Sequence, residues 1–253
     1  MTAGHHAPSP GRPAPGQPRP GPPEVDRAPA GRHLARLQAA SDTLGLGLTP
    51  ADLQGLLAYQ SLLQRWNRVY NLTALRDPDD MLSHHLIDCL AVLPPLRRWM
   101  AAHGGPSPRL LDVGSGGGLP GVVLALLHPG WAVDCVDTVA KKASFIRQVA
   151  VDLRLPGLRG LHARVESLAA PAGGYTLITS RAFASLTDFT ALSAPLLSAQ
   201  GVWMAMKGRL PADEQASLPP SVSVFHVEQL QVPGLDAQRC LVWMRSAGGP
   251  APE

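Results

Sequence analysis

At 253 residues and 45% hydrophobic side chains, the chain is long enough for one large domain, or for one domain with an appendage. Its net charge of +3 permits a polyanionic partner without requiring one. It lacks the run of roughly eighteen apolar residues that a membrane span needs and an apolar segment behind a basic start, and Cys89, Cys135 and Cys240 lack metal-ligand spacing, so a membrane span, a secretory signal and a metal scaffold are not expected. The expectation is a cytoplasmic monomer with reduced, packed thiols, no metal and no membrane partner.

Residues 1–30 are dominated by proline, glycine and alanine, with almost no large apolar side chain to offset the entropy of ordering. They read as a disordered tail, either solubilising or, through Arg12, Arg19 and Arg27, in light contact with RNA. Residues 31–105 read as a helical extension. Leu34, Leu37, Leu44 and Leu46 mark a first helix from Arg32 that ends near Gly45 or Gly47. Thr49 and Pro50 then supply an N-cap and a first-turn proline for a second helix, with Leu53, Leu56, Leu57, Gln60, Leu63 and Val69 on its apolar face.

That helix ends in Trp66-Asn67-Arg68-Val69-Tyr70-Asn71-Leu72-Thr73. Trp66 and Tyr70 are expected to anchor the core, while Asn71 and Thr73 are candidates to close a pocket from the helical side. A third helix is expected from Pro78 to Trp99, with Leu82, Leu86, Leu90 and Leu93 inward. His84, His85 and Asp88 on it stand either near the site or as satisfied structural groups.

Residues 106–247 read as an α/β domain, and residues 248–253 as a frayed end. Leu110 to Val113 is a short apolar strand, followed by Gly114, Gly116, Gly117 and Gly118, and by an apolar helical segment from Leu119-Pro120-Gly121. A strand, glycine turn and helix form a candidate cofactor seat, because glycine reaches positive φ and lets a ligand lie against backbone. The dinucleotide fingerprint would want a third glycine at position 119, where Leu119 stands. The spacing Asp112-x-Gly114-x-Gly116-x-Gly118 instead resembles the S-adenosylmethionine-binding loop of Rossmann-like methyltransferases.

Trp131 to Asp137 is a second strand ending in an acid, placed where a carboxylate accepts ribose hydroxyls; the alternative for Asp137 is a helix N-cap. The next helix, with Phe145, Ile146 and Val149 inward, carries Lys141, Lys142 and Arg147 on a face that is either solvated or an RNA contact. A third strand near Leu158 to Ala163 leads to Val165, expected on an adenine ring, and Glu166, expected to hydrogen-bond nearby. The fourth, Tyr175 to Ser180, delivers Arg181 for a cofactor carboxylate or an RNA phosphate. Val202 to Met206 ends in Lys207, and Val222 to Leu230 with Cys240 to Met244 reads as an antiparallel pair.

Taken in order, Trp66-Asn67, Tyr70-Asn71-Leu72-Thr73, His85-x-x-Asp88, the Asp112 to Gly121 loop, Lys142-x-x-Phe145-x-x-Gln148, Arg164-Val165-Glu166, Ser180-Arg181-Ala182-Phe183-Ala184 and Lys207-Gly208 closely resemble the RsmG (GidB) family of bacterial 16S rRNA guanine-N7 methyltransferases. The resemblance spans roughly Leu53 to Val242. It implies a Rossmann-like S-adenosylmethionine-dependent methyltransferase sheet behind an N-terminal helical extension, with 16S rRNA or the small ribosomal subunit as partner. It implies cofactor binding by Gly114, Gly116, Leu119, Asp137, Val165, Glu166 and Arg181.

Arg181, Lys207, Lys142 and Arg147 are the candidates for RNA contact. Nitrogen 7 of guanine carries a free lone pair, so no catalytic base is expected. The alternatives are an NAD-dependent oxidoreductase and a catalytically silent RNA-binding protein built on the same scaffold. An Asn/Asp-Pro-Pro-aromatic motif and a Pro-Cys nucleophile are both missing, which argues against amino-group and carbon methylation.

Overall fold

The computed structural model describes residues 27–103, 105, 108–181, 183, 185–209 and 212–248. The expected tail before residue 27, the chain end after residue 248, and Ala182 and Ala184 lie outside the described residues.

Helix α1 (Arg27–Thr43) starts earlier than the expected Arg32. It buries Leu37 completely, whereas Leu34, expected beside it, is exposed. Helix α2 (Pro50–Tyr70) opens with a reciprocal cap: the Thr49 hydroxyl accepts from Asp52 N–H at 3.2 Å, and the Asp52 carboxylate accepts from Thr49 N–H at 2.8 Å. It ends at Asn71, whose φ of 48° is left-handed. Leu53, Leu56, Tyr59, Leu63 and Asn67 form its buried face. Val69 and Tyr70, expected inward, are exposed, because the last turn of α2 runs past the edge of the core. Trp66 is half-buried, its ring 5.5 Å from that of Phe145.

The expected single third helix is broken. Helix α3 (Pro78–Met81) passes into a π-helical stretch, Leu82–Ile87, then α4 (Asp88–Leu90), and after a turn α5 (Leu93–His103). Leu82, Leu86, Leu90 and Leu93 are all buried as expected. The wider turn keeps the leucines inward while rotating the polar residues between them, an arrangement that recurs at functional sites.

The remaining chain alternates strand and helix: β1 (Arg109–Val113), α6 (Gly121–Leu127), β2 (Ala132–Asp137), α7 (Ala140–Asp152), β3 (Leu158–His162), β4 (Tyr175–Ser180), α8 (Leu186–Ser193), β5 (Leu197–Lys207), α9 (Ala212–Ala216), β6 (Val222–Leu230) and β7 (Arg239–Ser246). The strand order is β3-β2-β1-β4-β5-β7-β6. Pairing is parallel from β3 through β5, whereas β7 runs antiparallel to both β5 and β6. The chain leaves β1 toward β2 and β3 on one side and returns to β4 and β5 on the other. A crevice therefore opens beyond the carboxyl ends of β1 and β4, where open α/β sheets bind ligands.

Alternation along the strands sends successive side chains to opposite faces. Leu110, Val133, Leu177 and Met204 share one core with the buried leucines of α2 and of the broken helix, so the helical extension packs directly on the sheet. Leu111, Val136, Ile178 and Trp203 form the second core with Phe189 of α8. Cys89, Cys135 and Cys240 are buried and unbridged. Among the described residues no helix is long and apolar enough to cross a membrane, and no cluster of three or more His, Cys, Asp or Glu side chains is placed to hold a metal.

Candidate functional site

The glycine turn is set by backbone geometry. Gly114, Gly116 and Gly118 have φ of 67°, 57° and 91°, a region that side chains with a Cβ rarely enter. Gly114 and Ser115 N–H both donate to the Val136 carbonyl, at 2.9 and 3.2 Å, which ties the turn to β2. Beneath it Asp112 is completely buried and accepts from Gly121 N–H at 2.9 Å, fixing the start of α6. Burial raises the Asp112 carboxyl to about 7. From the opposite side, the buried Tyr59 hydroxyl donates to the Gly117 carbonyl at 2.6 Å. A Cβ at Gly117 would stand 3.0 Å from Leu63, so α2 lies tightly on the turn.

A first cavity of about 360 Å³ opens at the carboxyl ends of β1 and β2. Gly114, Asp137, Val165 and Glu166, four of the expected cofactor residues, line it together with Lys142 and Phe183. Asp137 is buried, and its Oδ2 accepts from Gly116 N–H at 3.0 Å while Oδ1 accepts from Val139 N–H at 2.8 Å. Asp137 is not the N-cap of α7, a position held by Val139 without a side-chain cap; its carboxylate ties the turn and Val139 together at the wall of the cavity. The Lys142 ammonium lies 3.4 Å from Oδ2.

A carboxylate offers about four lone-pair positions, so this one retains capacity for a hydroxyl. The Glu166 carboxyl is held below its usual range by a hydrogen bond from its own N–H and by Arg164. Val136, Val139 and Val165 supply apolar walls. Gly116 does not line the cavity and is tied to its wall by the bond to Asp137. Leu119 does not line it; its side chain is buried in the core, and its N–H closes the turn onto the Ser115 carbonyl at 3.1 Å.

Arg181 is not in the first cavity. It lines a second one of about 400 Å³, together with His85, Asp88, Phe183, Lys207 and Arg239. Its guanidinium donates to the His84 carbonyl at 2.9 Å, lies 3.2 Å from His85 Nδ1, and sits 3.6 Å from Asp88 Oδ2. Nδ1 of His85 stands between that guanidinium and the His84 carbonyl, the latter at 3.1 Å, and Nε2 pairs with Thr73 Oγ1 at 2.8 Å. Burial, then the Arg181 charge, lowers His85 to about 4, so the ring stays neutral.

Thr73 is itself held, its N–H donating to the buried Asn67 side chain at 2.9 Å. A strut thus runs from α2 through Thr73 and His85 to Arg181. Neither Asn71 nor Thr73 lines either of these two cavities, where they were expected to close the pocket. Asn71 caps α2, and Thr73 acts at one remove.

Lys207 stands at the rim of the second cavity, where its ammonium meets Glu214 at 2.6 Å. Arg147 lines neither cavity. It bonds the Gly160 carbonyl and Ser144 on the outer side of α7. Of the four cations named for RNA contact, the structure therefore brings Arg181 and Lys207 together and leaves Lys142 and Arg147 apart from them.

The family model for rRNA small subunit methyltransferase G matches residues 52–242. The chain belongs to that family. Over 223 residues it is 58% identical to ribosomal RNA small subunit methyltransferase G of Paracidovorax citrulli, an alignment that covers 85% of this chain and 90% of that one. Among solved structures, an S-adenosylmethionine-dependent methyltransferase from Leishmania major is similar with a TM-score of 0.52 at 19% identity, covering 74% of this chain and 82% of the other. The magnesium protoporphyrin IX methyltransferase of Synechocystis, solved with bound SAH, has a TM-score of 0.50 at 15% identity, covering 76% and 100%.

These two likenesses bear on the fold alone, which is the Rossmann-like methyltransferase sheet with an N-terminal helical extension expected from the sequence. Neither the oxidoreductase nor the silent-scaffold alternative gains support from the family match. Two residues of this arrangement, Tyr59 and Arg239, belong to no motif in the sequence. Tyr59 stands three residues after Leu56, on the face that carries Leu63, so helical periodicity had it in view. Arg239 opens β7 and meets Asp88 at 2.7 Å across 151 positions of sequence, a pairing that no local pattern signals.

Proposed function

We propose that the chain transfers the methyl group of S-adenosylmethionine to nitrogen 7 of a guanine in the decoding region of 16S rRNA. The observation that carries this reading is the first cavity, built on the glycine turn, with a buried carboxylate, Asp137, on one wall and apolar valines with Glu166 on another. It fits an adenosyl group. Asp137 has acceptor capacity for a ribose hydroxyl, and Val165 offers a face for the purine. Asp112 Oδ1, Ser115 Oγ and Ser180 Oγ, around the turn, are buried polar atoms without a protein partner.

When bound, the cofactor supplies an electrophilic methyl on a sulfonium. The chain's own part is positioning. Nitrogen 7 holds an in-plane lone pair at neutral pH, so no side chain has to remove a proton. Consistent with that, His85, the buried imidazole of the second cavity, has both nitrogens engaged by Arg181 and Thr73. Holding donor and acceptor in line lowers the barrier by up to roughly 7–11 kcal/mol in favourable cases. The target must present its Hoogsteen edge, which suits an exposed loop better than a paired stem.

Mapping 7-methylguanine in rRNA from cells with and without the protein tests the reading. Loss of one 16S site in its absence is expected; an unchanged methylation pattern would overturn it.

A further inference from the structure

We infer that the second cavity seats the target nucleotide, with Phe183 as the face on which the base stacks and Arg239 as the cation that holds its acceptor groups. This rests on the methyltransferase reading above and adds to it the substrate pocket and two residues.

Phe183 is the residue shared by the linings of the two cavities. A group passing from the first to the second therefore crosses beside its ring. That ring is braced: it packs on Phe189, centroid to centroid 5.9 Å, and a Cβ built on Gly114 would lie 3.8 Å from Phe183 Cδ2. Phe189 is buried, so the pair forms a fixed wall with one half-buried ring toward the cavities. A base out of its stack regains stacking energy on such a ring whatever its sequence neighbours.

Charge points to the same occupant. Asp88 is buried and receives two guanidiniums, Arg239 at 2.7 Å on Oδ1 and Arg181 at 3.6 Å on Oδ2. Lys207 is balanced by Glu214. One positive charge is left in excess at the two arginines, and guanidinium donors match guanine O6 and phosphate oxygens. Arg181 spends two donors on the His84 carbonyl and on His85, and Arg239 two on Asp88 and the Gln238 carbonyl at the mouth of β7. Arg239 stands outside the strut through Thr73 and His85, so it is the cation assigned to the incoming nucleotide. Asp88 is a positioning residue that sets both arginines. The volume of about 400 Å³ lies within the roughly 300–1,000 Å³ of small-molecule sites and accommodates one nucleotide rather than a duplex.

The test uses the full chain, small ribosomal subunits lacking the modification, and labelled S-adenosylmethionine. Wild-type turnover is the control on the underlying reading: no transfer by the wild type sinks that reading, not the pocket. Given turnover, Phe183→Leu is expected to raise KM for the subunit about tenfold, the loss of one base stack. Phe183→Tyr, which keeps the ring, is expected to restore it. Arg239→Met is expected to raise the same KM and to lower the salt dependence of RNA binding by about one ion.

Calorimetry should show S-adenosylmethionine affinity within about twofold of wild type in Arg239→Met, whose site lines only the second cavity, and circular dichroism reports whether each variant is folded. Arg239→Lys keeps the charge without the fork and serves should the methionine variant unfold, with the same rise in KM expected. Unchanged KM in folded Phe183→Leu and in the arginine variants would overturn the proposal. So would a parallel loss of S-adenosylmethionine affinity in the arginine variants, which would assign the second cavity to the cofactor's amino-acid end.

Discussion

Tyr59→Phe removes one oxygen from the interior and isolates the link between the helical extension and the glycine turn. The hydroxyl donates to the Gly117 carbonyl at 2.6 Å, with both residues buried. Burial holds the Tyr59 phenol well above its usual pKa, so it remains a donor over the whole working pH range. Phenylalanine fills the same space and packs on Phe145 as tyrosine does, which leaves an unmet buried carbonyl as the change. That costs about 1–3 kcal/mol.

The strain falls on the loop that carries Gly114 and Gly116. A turn that populates its competent arrangement less often binds more weakly in proportion. Urea unfolding is expected to show the stability loss, and calorimetry an S-adenosylmethionine Kd raised about threefold to tenfold. Stability and Kd both unchanged would refute the idea that α2 holds the turn. A stability loss with unchanged Kd would confine Tyr59 to packing.

Gly121→Ala would place a Cβ 2.4 Å from Cys135 Sγ and 2.9 Å from Asp112 Oδ2. We expect overpacking to cost about 1–3 kcal/mol in thermal unfolding, part of it recovered in the double variant with Cys135→Ala; additivity of the two changes would show that the clash is elsewhere. Asp112 binds its proton more tightly folded than unfolded, so its contribution to stability is full below the unfolded value of 3.8 and is lost as pH rises through about 7. The stability gap between wild type and Asp112→Asn should therefore favour wild type by about 2–3 kcal/mol more at pH 5 than at pH 8, and a gap independent of pH would contradict the raised carboxyl. Asp137→Asn keeps one acceptor of two while Gly116 and Val139 N–H both need one. It should weaken S-adenosylmethionine binding about tenfold and also cost about 1–2 kcal/mol in urea; full affinity would remove Asp137 from the site.

What the sequence disclosed was what periodicity and local spacing encode. Glycines two apart after an apolar run report a backbone that turns through positive φ, and an acid at the end of the next strand falls at the same rim because parallel strands align their carboxyl ends. Asp137, Val165 and Glu166 were legible for that reason. The leucines at 82, 86, 90 and 93 were legible too, but they register only which side of a helix faces the core. An α-helix and a π-stretch both satisfy that pattern, and the difference decides where His85 and Asp88 point. Arg181 was legible at a strand end, but its protein partners were not, since they come from that π-helical stretch and Asp88.

The asymmetry has a physical source. Apolar burial is non-directional, so a hydrophobic pattern constrains an element as a whole, whereas a hydrogen bond depends on a few degrees of backbone rotation. The first cavity is made chiefly from one strand-turn-helix unit and its neighbours, and could be read locally. The second is made where the broken helix, the end of β4 and the start of β7 converge on Asp88, and that convergence exists only once both cores have formed. A substrate pocket assembled in this way lets residues from distant parts of the chain be tuned to RNA while the cofactor turn stays fixed by its own backbone.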